Sequence, residues 1–150
     1  SNEEHLEALL KKLKIKQSEL SEVFEYKPLY VKISPDEDLQ RLEEICQIIK
    51  NNNIDGIICC NTTVKHNDKN GPGGLSGSPL TKRAIETLEH ARNAVGIDFP
   101  LIASGGVMSA ADFQQRIEAG ADLVQVYTGF IFEGPKLIED INLSSIQRNT

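Results

Sequence analysis

"PLIASGGVMSAADFQQRIEAGADLVQVYTGF", residues 100–130, contains a complete strand–helix–strand pattern. Leu101 and Ile102 open a short apolar run after Pro100, and the pair Gly105-Gly106 closes it. Ser109 then stands as a helix cap, and the helical pattern stops at Gly120. A second apolar run, "ADLVQVYTG", starts at Ala121. A helix joining two strands carries the chain back to the end where the first strand began. The two strands therefore run parallel, joined by a right-handed crossover.

The same alternation extends upstream. Apolar runs "PLYVKIS" from Pro28 and "IDGIICCN" from Ile54 predict two more strands. Leu39, Leu42, Ile45, Cys46 and Ile49 predict a helix over 38–52, and Leu80, Ala84, Leu88 and Ala91 another over 79–95. Leu6, Leu9, Leu10 and Leu13 predict an N-terminal helix over about 3–25, whose Lys11, Lys12, Lys14 and Lys16 form a solvated face rather than a membrane-binding one. The order is helix, then four β/α units over about 28–141, with no linker, so residues 1–150 form a single α/β unit.

Two architectures satisfy that order: an open doubly wound sheet, or part of an eight-stranded barrel, of which four units are half. The dinucleotide fingerprint of the open sheet is absent. "GPGGLSG" offers Gly71 and Gly73 but Ser76 in the third glycine's place, and it lies too far from its strand. No Walker motif is present.

Composition excludes several functions. The chain has 150 residues, 39% hydrophobic and 25% charged, as soluble globular proteins do. A net charge of −6 argues against nucleic-acid binding. No apolar run approaches a membrane span, and no signal-peptide pattern opens the chain. Cys46, Cys59 and Cys60 are too few and too oddly spaced for a disulfide framework or a zinc site, and His5, His66 and His90 form no ligand set, so no metal is expected. The chain opens on Ser1-Asn2 rather than Met, which suggests a processed or engineered start.

Each strand ends in groups suited to a ligand. "IICCNTT" passes from apolar residues to Asn61, Thr62 and Thr63, whose polar groups need partners if buried. Alternation in "YVKIS" places Lys32 on one face with Tyr30 and Ser34. A lysine there either reaches solvent at an open edge or meets an anionic or electron-rich group. Ser104-Gly105-Gly106 before a helix suits a phosphate, as do Tyr127, Thr128 and Gly129 after the fourth strand. In (β/α)8 barrels the loops after the last two strands commonly bind a phosphate together.

Taken together, "VKISPD", "NTT" followed by "GGLSGSPL", "SGGV" and "GADLVQVYTGFIFEGP" resemble the dihydroorotate dehydrogenases, most closely their quinone-linked class 2 branch. The resemblance runs from about Leu6 to Ile141. It implies the C-terminal half, strands five to eight, of an FMN-carrying (β/α)8 barrel, so that residues 1–150 are a partial domain. It implies that Lys32, Cys60, Gly77, Gly106, Tyr127 and Thr128 hold FMN, and that Asn61 and Thr62 bind dihydroorotate or orotate. A quinone is the implied electron acceptor, in pyrimidine biosynthesis, with the whole enzyme peripheral to the membrane on its cytoplasmic side.

The sequence departs from the family at two places. Cys60 stands where a threonine usually contacts FMN, and Ala103-Ser104 replaces Gly-Val before the paired glycines. The family's catalytic serine base is implied to lie upstream of the first helix, so no catalytic residue is expected in this chain and the chain alone is expected to be inactive. Two other readings remain. One is a different FMN- or phosphate-binding barrel enzyme, and the other is a non-catalytic half-barrel that self-associates through its open edges.

Overall fold

A computed structural model describes residues 2–67 and 71–146 of the chain. Its elements are α1 (Asn2–Ser21), β1 (Tyr30–Ile33), α2 (Leu39–Asn51), β2 (Gly56–Cys59), a 3-10 turn (Ser78–Leu80) leading into α3 (Thr81–Val95), β3 (Leu101–Ser104), α4 (Ala110–Glu118), β4 (Leu123–Gln125), α5 (Thr128–Glu133) and α6 (Pro135–Ile146). Asp38 caps α2 by accepting the Arg41 N–H, and Ser109 caps α4 by accepting that of Asp112.

The four strands are all parallel and lie in the order β1-β2-β3-β4. That order decides between the two architectures. A doubly wound sheet reverses its strand order partway and so covers both faces with helices. Sequential right-handed crossovers never reverse, and they put every helix on one side.

The burial pattern agrees. Ile33, Ile57, Cys59, Leu101 and Ala103 face a single core with Leu10 of α1, Leu42, Cys46 and Ile49 of α2, and Leu88, Ala91 and Val95 of α3. Val124 extends that face to Phe113 of α4 and Leu137 of α6. On the opposite, inner face, the register aligns Lys32, Ile58, Ile102 and Leu123 in one row, and Leu123 is 62% exposed. No helix among the described residues covers this row. Such a sheet is one side of a barrel.

The amino ends of the strands are fastened by two matching clasps. The Asp55 N–H donates to the Leu29 carbonyl at 3.0 Å, while the Leu29 N–H donates to the Asp55 carboxylate at 2.7 Å. Asp122 and Leu101 repeat the arrangement at 2.9 and 2.8 Å. Gln17 and Tyr26 also donate to Asp55, which ties α1 to the sheet. Arg92 of α3 donates to the carbonyls of Gly96, Ile97, Phe99 and Gly120 and to the Asp122 carboxylate.

Two boundaries differ from expectation. The N-terminal helix ends at Ser21 rather than near 25, where the Val23 and Phe24 N–H groups both turn back to the Leu20 carbonyl. The fourth strand ends at Gln125, and Thr128 opens the short helix α5, closed by Gly134 at φ +65° before Pro135 starts α6. No helix among the described residues is long and apolar enough to cross a membrane.

Candidate functional site

At the carboxyl ends of the four strands lies a cleft of about 190 Å³. It brings together all eight residues expected to bind ligands: Lys32, Cys60, Asn61, Thr62, Gly77, Gly106, Tyr127 and Thr128. Ser76, Ser104, Gly105, Gln125 and Gly129 also line it. β1 supplies Lys32 from the inner row, and the extension of β2 supplies Cys60, Asn61 and Thr62.

Asn61, Thr62 and Thr63, grouped together in the sequence, separate here. Thr63 is buried and structural. Its hydroxyl donates to Asp36 at 2.5 Å, and its backbone pairs with Leu75 in both directions. Asp36 also accepts the Val64 N–H at 2.7 Å. Burial raises the Asp36 carboxyl, but the Thr63 hydroxyl, the Val64 N–H and the charges of Arg83 and Lys65 outweigh it and hold the group below its usual range. Asn61 is left exposed in the cleft, with its side-chain oxygen accepting the Thr62 N–H at 2.9 Å. Thr62 packs against Gly74, where a Cβ would fall 1.9 Å from its hydroxyl oxygen.

The other end of the cleft is made of glycines and hydroxyls. Gly77 sits at φ +76°, where a Cβ would lie 3.1 Å from the Thr128 methyl. The Gly105-Gly106 turn adopts φ +101° and +68°, and a Cβ on Gly106 would meet the Thr81 backbone at 2.5 Å. Thr81 Oγ1 donates to the Gly106 carbonyl at 2.8 Å, and the Ser76 and Thr128 hydroxyls are 2.9 Å apart. α3 continues directly from the 3-10 turn beside them without a side-chain cap, its Thr81 N–H donating to the Ser78 carbonyl. Glycine, hydroxyl and helix start together suit an anion.

Cys60 lines the cleft but offers it little of its side chain. It is 1% exposed, packed with Leu80 and Ala84, and its thiol points to the Ser104 carbonyl at 3.9 Å. Burial pushes this thiol up to about 12, so it offers the cleft no charge. Ser104, part of the expected phosphate turn, pairs in register on the inner face with Gln125, which the sequence pattern did not single out. Among the described residues no group of three His, Cys, Asp or Glu side chains could hold a metal.

A family model described as dihydroorotate dehydrogenase matches residues 2–147. The chain belongs to the dihydroorotate dehydrogenase family. It is 47% identical over 148 residues to the dihydroorotate dehydrogenase (quinone) of Dichelobacter nodosus, covering 93% of this chain and 44% of that protein. It is 44% identical over 147 residues to the Vibrio parahaemolyticus enzyme of the same name, with 92% and 43% covered. The crystal structure of DHODH from Eimeria tenella in complex with ferulenol superposes with a TM-score of 0.86 at 26% identity, over 96% of this chain and 46% of that one. The chain therefore spans less than half the length of these relatives. Its four parallel strands and their helices match part of the dihydroorotate dehydrogenase barrel.

Proposed function

We propose that the chain is the C-terminal half, strands five to eight, of an FMN-dependent enzyme that oxidises dihydroorotate to orotate and passes the electrons to a quinone, in pyrimidine biosynthesis. One observation supports the reading: the eight residues converge on one cleft, where glycines and hydroxyls suited to an anion share the lining with the exposed Asn61. On this reading Gly77, Gly106, Tyr127 and Thr128 hold the phosphate end of FMN, and Cys60 contributes packing. Lys32 supplies the positive charge that a reduced flavin needs near its pyrimidine edge.

The substrate end follows from hydrogen-bond chemistry. With its oxygen engaged by the Thr62 N–H, Asn61 keeps its amide donors for a ligand's carbonyl or carboxylate oxygens. Thr62 adds a hydroxyl that donates or accepts. When bound, FMN supplies the hydride acceptor. The serine base implied by the resemblance lies in the part of the family's length that this chain does not cover, so the chain alone turns nothing over. In the whole protein the site sits peripheral to the membrane, on its cytoplasmic side.

A second property rests on the inner face. Among the described residues β1 and β4 each pair on one side only, and Leu123 and Tyr127 are exposed beside the cleft. The rest of the barrel covers this surface in the whole protein, and a second copy covers it when the chain stands alone. A clean monomer by light scattering at micromolar concentration would count against that.

The test is titration of the chain with orotate in the presence of FMN, following backbone amides by NMR. Shifts at Asn61 and Thr62 are expected. Shifts confined to the wall at Gly77 and Gly106 would make this a phosphate-binding barrel of different chemistry.

A further inference from the structure

Arg116 is the one fully buried charge among the described residues, at 0% exposure on α4. Only its Nη2 finds acceptors, the Gly105 carbonyl at 3.0 Å and the Thr81 carbonyl at 3.3 Å. Nε and Nη1 are buried without a partner. A guanidinium in that position is ordinarily paired with a carboxylate. The nearest acid, Asp112, is one turn earlier on the same helix, but its Oδ2 already accepts the Met108 N–H and the Ser109 hydroxyl. Asp112 attracts the guanidinium through space, but among the described residues no carboxylate is bonded to it as a direct counterion.

The position of Arg116 suggests where that counterion belongs. Its two carbonyl partners are Gly105, in the glycine turn that lines the cleft, and Thr81, at the start of α3. Thr81 in turn holds the Gly106 carbonyl. Both carbonyls of the turn, which would repel an anion, are thus committed to donors. The charge stands directly behind the cleft wall, since Arg116 donates to the carbonyl of Gly105, which lines the cleft.

We infer that Arg116 is the buried countercharge of the phosphate group bound at the Gly105-Gly106 turn, acting from behind the turn as a positioning residue. The inference rests on the reading of the cleft as an FMN site. It adds a charge that belongs to neither the cleft lining nor the glycine motif. A purely structural brace predicts something else, namely that weakening it lowers affinity for every ligand of the cleft alike.

The experiment compares FMN with riboflavin, which lacks the phosphate, on the chain and on its Arg116→Met and Arg116→Lys variants. Dissociation constants are read by flavin fluorescence, and folding is checked by circular dichroism. The wild-type chain is expected to prefer FMN, and Arg116→Met to lose about tenfold of that preference with its riboflavin affinity nearly unchanged. Arg116→Lys, which keeps the charge, should retain most of it. Equal losses for both flavins, or an unchanged preference in folded Arg116→Met, would overturn the inference while leaving the FMN site standing. No preference for FMN in the wild-type chain would overturn the site reading, and the inference with it. If Arg116→Met does not fold, Arg116→Lys decides: a preference kept supports the countercharge, and a preference lost refutes it.

Discussion

Asp122 and Leu101 hold each other twice, the aspartate N–H on the leucine carbonyl and the leucine N–H on the aspartate carboxylate. Leu101 is fully buried, so its N–H has no access to water once the carboxylate is gone. Asp122→Ala should cost about 1–3 kcal/mol, the penalty of an unsatisfied buried donor, plus the ion pair to Arg92 at 2.9 Å. Asp122→Asn keeps an acceptor and should lose less. Urea unfolding midpoints measure both, and a wild-type midpoint for Asp122→Ala would refute the clasp's contribution.

Acid should loosen the chain through Asp36 and Asp55. For both, burial raises the carboxyl but hydrogen bonds outweigh it: the Thr63 hydroxyl and Val64 N–H at Asp36, and the Leu29 N–H, Tyr26 and Gln17 at Asp55. A carboxyl held below its unfolded value contributes stability that is full above that value, about 3.9, and lost as pH falls through the folded one. Stability should hold from neutrality down to about pH 5 and fall below it. Asp36→Asn should flatten part of that slope in a pH series of thermal melts.

Gly106→Ala and Gly73→Ala separate backbone strain from crowding. Both residues have positive φ, but a Cβ at Gly73 meets nothing within 4 Å, whereas one at Gly106 meets the Thr81 Cα at 2.5 Å. Gly73→Ala should cost about 1 kcal/mol. Gly106→Ala should cost more than that, and should displace the start of α3, visible as amide shifts at Thr81. Equal costs for the two would mean the turn accommodates a methyl freely.

The three cysteines should be silent to thiol reagents in the folded chain. All are buried, and burial raises each of them, Cys46 and Cys60 to about 12 and Cys59 further. Ellman's reagent at pH 8 is expected to titrate almost none before denaturation and all three after it. Rapid reaction of one thiol in the native chain would show that the cleft opens onto Cys60.

Much of the frame was readable because its signals are local. The helix caps at Asp38 and Ser109 and the run from Leu101 to Gly106 specify their elements within a few residues. The choice between sheet and barrel was not local, since it depends on strand order, which no single unit encodes. The strand-like composition of "VQVYTGF" conceals the start of α5 at Thr128, where Gly129 lies so close to the Val107 carbonyl that a Cβ would fall 2.1 Å from its oxygen. In the cleft, Asn61 and Thr62 stood out as polar groups after an apolar strand. Thr63 looked identical to them, and only its contact with Asp36, 27 residues away, marks it as structural. Arg116 gave no signal, because one arginine on a helix has the pattern of any solvated residue.

The clasps at Asp55 and Asp122 lie at the amino ends of the strands, and the cleft lies at their carboxyl ends. None of the hydrogen bonds of one end is shared with the other. Residues such as Cys60 and Ser104 line the cleft, where exchanges change what a ligand meets. Such exchanges draw on none of the bonds that fasten the strands at their start. This separation gives the chain room to drift in chemistry: residues around the ligand can be traded one at a time while the scaffold that presents them keeps its register.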